Sequence, residues 1–510
     1  MLRREFLSLA AASAAAQSAN VRHILLTASH ERLLVKASFP TAYTQAPLLR
    51  VKERFVTGTA SDTRGYFWQF DVPGLTPSSE YTLQLHDGRR RALNDPWTVK
   101  TFPDLASKES KLRVLVYTCA GGDEKTSFLP IATRQRLFKR ALAFQPDAVI
   151  GNGDHIYWDL RQTGAPPKYS DELIQERGAF SRSLPVLGTS NEKTLTNVGD
   201  AQIGSLYGTM FQSLPVFFTQ DDHDYFENDD ADEEMVTYPP DHFMLQCGRG
   251  IRRLYFPEFL PDPNRPIGLP GASAADRPAN TGECFGTLRY GKLAELLLYD
   301  CRRYLSLAGP NAGMIPREAE RWITRRLLDS DTTHLVQVPS LPPVWSAGKW
   351  GDWYPDYLDA NGELSLAVTK PYWQSGWAKQ HDRIMKATSE QKSGRIPLFF
   401  AGDMHAHGHA KILRTGEEQL MKNPVHVHLS GCISTVGRGF PSGVRRTPPK
   451  PTKYIDAEMK QNALEENGFL IVDFSEASIR IRSFKWRPPA PETAIDTLEP
   501  FRDITLPRTA

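Results

Sequence analysis

The sequence predicts an α/β protein whose layered sheet core is preceded by a separate antiparallel β-sandwich. Two observations favour the core. Short apolar runs bounded by glycine and polar residues recur between residues 111 and 474, and segments with helical spacing lie between them. A third observation favours the sandwich, since residues 20–103 contain short alternating stretches separated by turns.

The first 19 residues are predicted to be a signal peptide. Arg3 and Arg4 precede a short apolar stretch, which leads to the small residues around Ala15. The arginine pair resembles a twin-arginine signal, which predicts a periplasmic or secreted protein and the twin-arginine export machinery as a partner. An ordinary secretory signal with a basic start is the alternative, and the apolar stretch is too short to span a bilayer.

Residues 20–103 are predicted to form the sandwich. Its expected strands include 33–39, 66–72, 81–85 and 98–102. The segment from Gly74 to Tyr81 resembles a fibronectin type III corner, in which a tyrosine locks the turn between two sheets. Nothing in this part of the sequence carries catalytic chemistry.

The charge balance excludes one class of function. The chain has 61 basic and 59 acidic side chains, so it lacks the basic footprint of a nucleic-acid-binding protein. Its five cysteines, an odd number, permit at most two disulfides, and Cys119 is the candidate for the unpaired thiol.

Candidate metal ligands follow the predicted strands of the core. Because ligands collect beyond one end of the strands in a layered sheet, we expect these residues to form one metal centre. The candidates that follow apolar runs are Cys119, Asp154, Tyr157, Asp222, Asp403 and His405. Helices are predicted over 133–144, 317–328 and 378–387, and loops with short helices over 161–210 and 229–285.

Spacing assigns roles to some of these candidates. Asp154 is placed to bridge two metals, and Asp403 and His405 share one side of an extended backbone. His223 is the predicted general acid, because imidazole titrates near neutral pH. Each pattern also has a structural interpretation: Gly153-Asp154 as a common turn, Asp222-His223 as an acidic surface turn, and His407 and His409 as outer or surface residues. His426 and His428 are expected to be structural.

Taken in order, Cys119, Gly153-Asp154-x-Ile156-Tyr157, Asp221-Asp222-His223-Asp224 and Gly402-Asp403-x-His405 resemble the alkaline phosphatase D family, the PhoD-like metallophosphatases. Residues 298–304, 350–355 and 429–434 resemble further blocks of that family, although Cys301 and Cys432 stand where threonine and serine are usual. The resemblance implies a calcineurin-like two-sheet core over residues 111–480, with residues 481–510 as a C-terminal strap.

The resemblance also implies the metals and their ligands. Cys119, Asp154, Tyr157 and His405 would hold iron(III), and Asp154, Asp222 and Asp403 would hold Ca²⁺. The softness of the ligands agrees with such a division, and Zn²⁺, Mn²⁺ or Mg²⁺ are alternatives.

The predicted function is hydrolysis of phosphate monoesters, diesters or both by an exported enzyme, with a metal-activated water attacking phosphorus. His223 would protonate the leaving oxygen, and Arg302 or Arg303 would either clamp a phosphate oxygen or form a structural salt bridge. One alternative is an exported metal-containing binding protein without turnover. Another is an enzyme similar to purple acid phosphatases, although Cys119 and the lack of a Gly-His-x-His block argue against it.

Overall fold

The computed structural model describes residues 20–158, 171–226, 240–265, 281–306, 309–348, 352–367, 375–436 and 441–508. The predicted signal peptide, residues 1–19, lies outside the described residues. Within the described ranges, no helix combines the length and the apolar character needed to cross a membrane.

Residues 23–100 form two antiparallel sheets of four strands each. The strands are β1 (His23–Ala28), β2 (Leu33–Ser38), β3 (Leu48–Val51), β4 (Arg54–Thr57), β5 (Thr59–Ala60), β6 (Phe67–Val72), β7 (Glu80–His86) and β8 (Trp97–Lys100). Their orders are β1-β2-β6-β5 and β4-β3-β7-β8, and both sheets contribute side chains to one apolar core. In the predicted turn, the Tyr81 hydroxyl accepts a hydrogen bond of 2.7 Å from the backbone N–H of Thr76.

The rest of the chain alternates strands and helices, as the spacing predicts. The next strands are β9 (Lys111–Tyr117), β10 (Ala148–Asn152), β11 (Val216–Thr219), β12 (Phe285–Tyr290), β13 (Ala294–Tyr299), β14 (His334–Pro339), β15 (Trp345–Ser346), β16 (Tyr357–Leu358), β17 (Leu364–Ser365) and β18 (Leu398–Ala401). They are followed by β19 (His407–Thr415), β20 (Glu418–Gln419), β21 (Val425–Ser430), β22 (Lys450–Pro451), β23 (Ile455–Leu464), β24 (Asn467–Ser475), β25 (Ser478–Trp486) and β26 (Arg502–Pro507).

The α-helices are α1 (Ile131–Leu142), α2 (Asp171–Arg177), α3 (Ser190–Gly199), α4 (Ser205–Tyr207), α5 (His242–Tyr255), α6 (Arg317–Asp329) and α7 (Ser375–Ser389). The three helices expected from periodicity correspond to α1, α6 and α7, so those predictions are confirmed. Helix α5 has 14 residues, so the expectation of only short helices between 229 and 285 is wrong there. Its N-cap Asp241 accepts a hydrogen bond from the N–H of Met244, which stabilises the start of the helix.

Two large mixed sheets form the centre of this part of the protein. One has the order β11-β10-β9-β24-β25-β26; the other has the order β12-β13-β14-β18-β21-β19-β20, with β23 paired to β19. Strands β9, β10 and β11 are parallel, as are β13, β14, β18 and β21. The mixed α/β architecture that the sequence predicts is therefore confirmed.

The alternation of side chains along the strands shows how the two sheets are layered. Val114 and Val116 of β9 share an apolar cluster with Leu296 and Leu298 of β13, so these faces meet between the sheets. The opposite face of the first sheet packs on α1, and the opposite face of the second packs on α6 and α7. Two sheets therefore lie face to face between helical layers, and the parallel strands end at a common edge.

The C-terminal residues belong to the first of these sheets. The boundary predicted at residue 480 falls within β25, and residues 502–507 form the edge strand β26. The region predicted as a strap therefore contributes most of β25 and all of β26 to the sheet.

The N-terminal sheets contact the loops that follow the parallel strands and helix α5. The N–H of Ile24 donates to the carbonyl of Gly208 at 2.9 Å, and His23 Nε2 lies 3.0 Å from the carbonyl oxygen of Tyr255. Lys36 and Glu258 form a buried ion pair of 3.3 Å in the same contact.

Candidate metal centre

The strand ends bring the predicted ligands to one place. Ligand atoms of Cys119, Asp154 and His405 all lie within 4.8 Å of one another, and so do those of Asp154, Asp221, Asp222 and Asp403. These residues follow β9, β10, β11 and β18, the strands whose ends the sequence had marked. Asp154 belongs to both groups, so it lies between them.

The backbone at four of these residues has an unusual conformation. The φ angles are 50° at Cys119, 56° at Asp154, 64° at Asp403 and 49° at His405. A left-handed conformation costs a residue with a side chain about 1–2 kcal/mol. Residues held in this way concentrate at functional sites, because the surrounding structure must enforce the conformation.

The first group combines sulfur, phenol, imidazole and carboxylate. The Cys119 thiol donates to Asp154 Oδ2 at 3.2 Å, and the Tyr157 hydroxyl donates to the same oxygen at 3.1 Å. The Tyr157 hydroxyl also lies 3.1 Å from Nε2 of His405. Burial raises the pKa of both the Cys119 thiol and the Tyr157 hydroxyl, so each holds its proton until a cation takes the proton's place.

The second group is a set of carboxylates around one guanidinium. Nε of Arg302 lies 2.6 Å from Asp221 Oδ1, and Nη2 lies 3.4 Å from Asp403 Oδ1 and 3.9 Å from Asp222 Oδ2. Burial, together with the charges of Asp222 and its neighbours, raises the pKa of Asp154. One positive charge cannot balance four ionised carboxylates at this distance, so the group is suited to bind further cations.

The donor set fits two different kinds of cation. Thiolate, phenolate and imidazole ligands suit a transition metal, whereas oxygen ligands suit a hard cation such as Ca²⁺. Within the described ranges, Oδ2 of buried Asp221 makes no hydrogen bond, which leaves it available as an oxygen ligand. Asp221 was not among the ligands that the sequence predicted, although it lies next to Asp222.

His223 lies beside the first group. Its ring packs against Tyr157 with ring centroids 4.0 Å apart, and its backbone N–H donates to Asp154 Oδ1 at 3.4 Å. His223 is buried, with 8% of its surface exposed. It also has a ring nitrogen within 4.8 Å of ligand atoms of Asp154 and Asp222.

Asp224 organises the backbone under the site, a role that the sequence did not reveal. Its carboxylate accepts hydrogen bonds from the N–H groups of Asp154 and His155, both at 3.0 Å, and of Asp221 at 2.8 Å. Burial raises the pKa of Asp224 to about 7, although these three donors favour its charged form. Asp224 thereby joins the loop after β10 to the loop after β11.

Several other histidines and aromatic residues lie outside the two groups. His407 is buried beside Gly431, and the ring of His409 stacks on His428 with centroids 4.0 Å apart. Trp353, Tyr354 and Trp377 are buried in the core on the helical side of the second sheet, and Trp350 and Trp373 lie outside the described residues. All five cysteines are buried and none forms a disulfide.

Comparison with known proteins agrees with this geometry. Residues 126–482 match the profile of the family described as PhoD-like phosphatase. The chain belongs to the PhoD-like phosphatase family. The resemblance noted in the sequence is therefore confirmed, and membership of this family supports phosphatase activity.

A solved structure described as "Structure of PhoD" shares the fold of this PhoD-like chain. Its TM-score is 0.62 at 13% identity, and the match covers 96% of this chain and 90% of that one. At this identity the match speaks for the fold alone. A Paenibacillus cycloisomaltooligosaccharide glucanotransferase (10% identity, 76% of this chain and 45% of that chain) has a TM-score of only 0.16, too low to support an argument. No curated protein sequence matches the chain.

Proposed function

We propose that this PhoD-like protein is an exported metal-dependent phosphoesterase that hydrolyses phosphate monoesters, diesters or both. The observation that supports it most is the convergence of Cys119, Asp154 and His405 within 4.8 Å of one another, beside a second group of carboxylates. A mixed-ligand centre next to a histidine provides for both cation binding and proton transfer.

In this proposal each group of ligands holds its own cation. Cys119, Asp154, Tyr157 and His405 hold iron(III), while Asp154, Asp222 and Asp403 hold Ca²⁺. When bound, these cations would acidify a water molecule and neutralise the oxygens of a phosphoester. The assignment of the two metals follows ligand softness, and Zn²⁺, Mn²⁺ or Mg²⁺ could replace them in the same geometry.

His223 is the proposed general acid. Its ring nitrogen lies near the carboxylates of Asp154 and Asp222, where it can give a proton to the departing alkoxide. Packing against Tyr157 fixes the plane of the ring, so the proton is presented from one direction.

Arg302 has a different role in this proposal from the predicted phosphate clamp. The side chain has 0% exposure and ion-pairs with Asp221, so it balances carboxylate charge beneath the site. The alternative that the sequence left open, a structural salt bridge, therefore has the support of the contacts. Arg303 likewise pairs with buried Glu283.

The finer assignments of the fold belong to the same proposal. We infer that the N-terminal sheets are a fibronectin type III-like sandwich, a reading supported by the Tyr81 hydrogen bond to the turn. The face-to-face sheets support a calcineurin-like core. A twin-arginine signal in residues 1–19 would let the metals be inserted before export, while the thiol of Cys119 is still reduced.

Elemental analysis of the purified protein, with a visible absorption spectrum of the same sample, tests the metal assignment. We expect iron and calcium together with a broad tyrosinate-to-iron band. Hydrolysis of p-nitrophenyl phosphate and bis(p-nitrophenyl) phosphate by the same sample tests turnover. Metal without turnover on either ester would favour a binding protein, and protein that takes up no metal would overturn the proposal.

A further inference from the structure

A second sulfur lies directly behind Cys119. Cys432 follows β21, and its Sγ lies 3.6 Å from the carbonyl oxygen of Cys119. Both cysteine side chains are fully buried. The chain thus places two cysteines, 313 positions apart, in contact at the centre.

The backbone holds the two cysteines on adjacent segments, with Cys432 paired to Thr118, the residue before Cys119. Thr118 and Cys432 form a parallel β-bridge, and the N–H of Ile433 donates to the Thr118 carbonyl at 3.2 Å. Ser434 donates to the Cys119 carbonyl through both its N–H, at 3.1 Å, and its hydroxyl, at 2.7 Å. Bridged strands lie about 5 Å apart, within the range of Cα separations that disulfides span.

Both sulfur-bearing side chains are shielded from solvent, with 0% exposure at Cys119 and at Cys432. Asp403 and His405, which border Cys119, are 6% and 5% exposed. This burial excludes large disulfide reagents, so a suitable oxidant is as small as hydrogen peroxide. The other three cysteines, Cys247, Cys284 and Cys301, are buried as well and provide internal comparisons.

We propose that Cys119 and Cys432 form an oxidation site, at which a peroxide closes the pair to a disulfide and withdraws Cys119 from the metal centre. Hydrogen peroxide converts one thiol to a sulfenic acid and releases water, and the second thiol attacks that sulfur and displaces a second water. Two thiols and one peroxide give one disulfide and two waters. The loss of metal binding rests on the proposed ligand role of Cys119, whereas the cross-link itself does not.

Metal and disulfide exclude each other at this site. A sulfur bound to a cation has its lone pair engaged and is protected from attack, and a sulfur in a disulfide cannot act as a thiolate ligand. Loaded protein should therefore resist peroxide, and oxidised protein should fail to take up the transition metal until it is reduced.

Peptide mapping of the full-length protein tests this proposal. Chelator-treated and iron-loaded samples are exposed to hydrogen peroxide, alkylated, digested without reductant and analysed by mass spectrometry. We expect a linked peptide containing Cys119 and Cys432 in the chelator-treated sample, and at least tenfold less of it in the loaded sample. We also expect the oxidised sample to develop the visible iron band only after treatment with dithiothreitol.

Two variants test whether the link requires Cys432 specifically. Cys432→Ser should give no linked peptide, and Cys247→Ser, which removes another buried thiol, should form the link as the wild type does. The proposed oxidation site is wrong if Cys119 of peroxide-treated wild-type protein stays a free thiol. It is also wrong if Cys119 is converted only to sulfinic or sulfonic acid. Equal iron uptake by linked and reduced protein would overturn the proposed loss of metal. Turnover is measured on untreated protein, so a failure of the phosphoesterase proposal remains distinguishable.

Discussion

The hydroxyl oxygen of Tyr157 lies 3.1 Å from Nε2 of His405, although 248 residues separate them in the chain. Tyr157 follows β10 in the first sheet, and His405 follows β18 in the second. The contact therefore joins the two sheets at the edge where their parallel strands end. Because Asp154 meets the same hydroxyl at 3.1 Å, the three side chains converge on a common point.

Tyr157→Phe tests whether this point is a metal site. The ring is 3% exposed and packs on Phe128 and His223, so we expect the variant to fold, with a loss of about 1 kcal/mol for the missing hydrogen bonds. Loss of the phenolate should abolish the visible iron band and weaken iron binding at least tenfold. The measurements are the absorption spectrum and iron titration of chelator-treated protein.

Tyr207→Phe is the matched control for this variant. It removes the hydroxyl that lies 2.8 Å from the Tyr117 hydroxyl, in a buried cluster away from the ligands. The control should lose similar stability and keep the iron band. An unchanged spectrum in Tyr157→Phe would show that the phenol is not a ligand.

His223→Gln tests the proposed general acid through its dependence on the leaving group. We expect hydrolysis of an alkyl phosphate ester to fall roughly 10²–10⁴-fold, because the alkoxide then leaves without a proton. Hydrolysis of a p-nitrophenyl ester should fall much less, since p-nitrophenolate is a stable leaving group. The kcat values for both esters, measured with wild type and variant, give the comparison.

His223 could act as a metal ligand instead of a general acid, because its ring also lies near Asp154 and Asp222. The metal content of His223→Gln distinguishes the two roles. Unchanged iron and calcium, with the selective loss described above, would support the general acid. Equal losses on both esters together with lost metal would instead make His223 a ligand. His30→Gln, a change in a partly exposed turn of the N-terminal sheets, should leave both rates unaltered.

The position of the candidate ligands in the fold was predictable from sequence, because an apolar run shows where a buried strand ends. An apolar run fixes β10, and the residue just past it, Asp154, must lie at the edge of the sheet. The same reasoning located Cys119 after β9 and Asp403 after β18. Local sequence therefore carried most of the information about the centre.

The features of the site that the sequence did not reveal depend on contacts between loops that are distant in the chain. Asp224 is one acid in a run of acids, and its role comes from three backbone N–H groups that only the folded loops bring to it. The contact of Cys432 with Cys119 requires β21 to end beside β9, which no local pattern encodes. Likewise, the ion pair of Arg302 with Asp221 spans 81 residues.

Arg302→Met tests the proposed balance of charge under the site. Removing the guanidinium leaves the carboxylates without their nearby counter-charge, so we expect metal-free protein to lose about 3–5 kcal/mol of unfolding free energy. Calcium should then compensate for part of the loss. The stabilisation by a fixed concentration of Ca²⁺ should exceed that of wild type by at least about 1.4 kcal/mol, a tenfold gain in affinity.

Arg303→Met is the matched control. Arg303 is the residue after Arg302, and the change breaks its buried ion pair with Glu283. It should lose stability to a similar extent and keep the wild-type response to calcium. Urea unfolding with and without Ca²⁺ measures both quantities. A calcium response that shrinks in Arg302→Met would mean that the guanidinium orients the ligands instead of balancing their charge.

The last prediction concerns His23, which links the N-terminal sheets to helix α5. Its Nε2 lies 3.0 Å from the Tyr255 carbonyl oxygen, which can only accept, so Nε2 carries the proton. Nδ1 then accepts from the Ser38 hydroxyl at 2.8 Å, and the neutral ring is satisfied on both sides. Burial, with smaller effects from Lys36 and Arg22, lowers the pKa of His23 from 6.5 to about 4.

The sign of the pH dependence follows from that shift. Between pH 4 and 6.5 the unfolded chain binds a proton at His23 that the folded protein does not, so stability rises with pH across this window. The free energy of unfolding that depends on neutral His23 is fully present above pH 6.5. It falls by about 3 kcal/mol as the pH drops towards 4, at about 1.4 kcal/mol per pKa unit. We therefore expect the unfolding free energy of His23→Gln to fall by about 3 kcal/mol less than that of wild type between pH 7 and pH 4.

Urea unfolding at pH 7, 5.5 and 4 measures the difference, and His30→Gln should keep the wild-type dependence of stability on pH. Identical slopes for wild type and His23→Gln would mean that His23 takes up its proton without opening this contact.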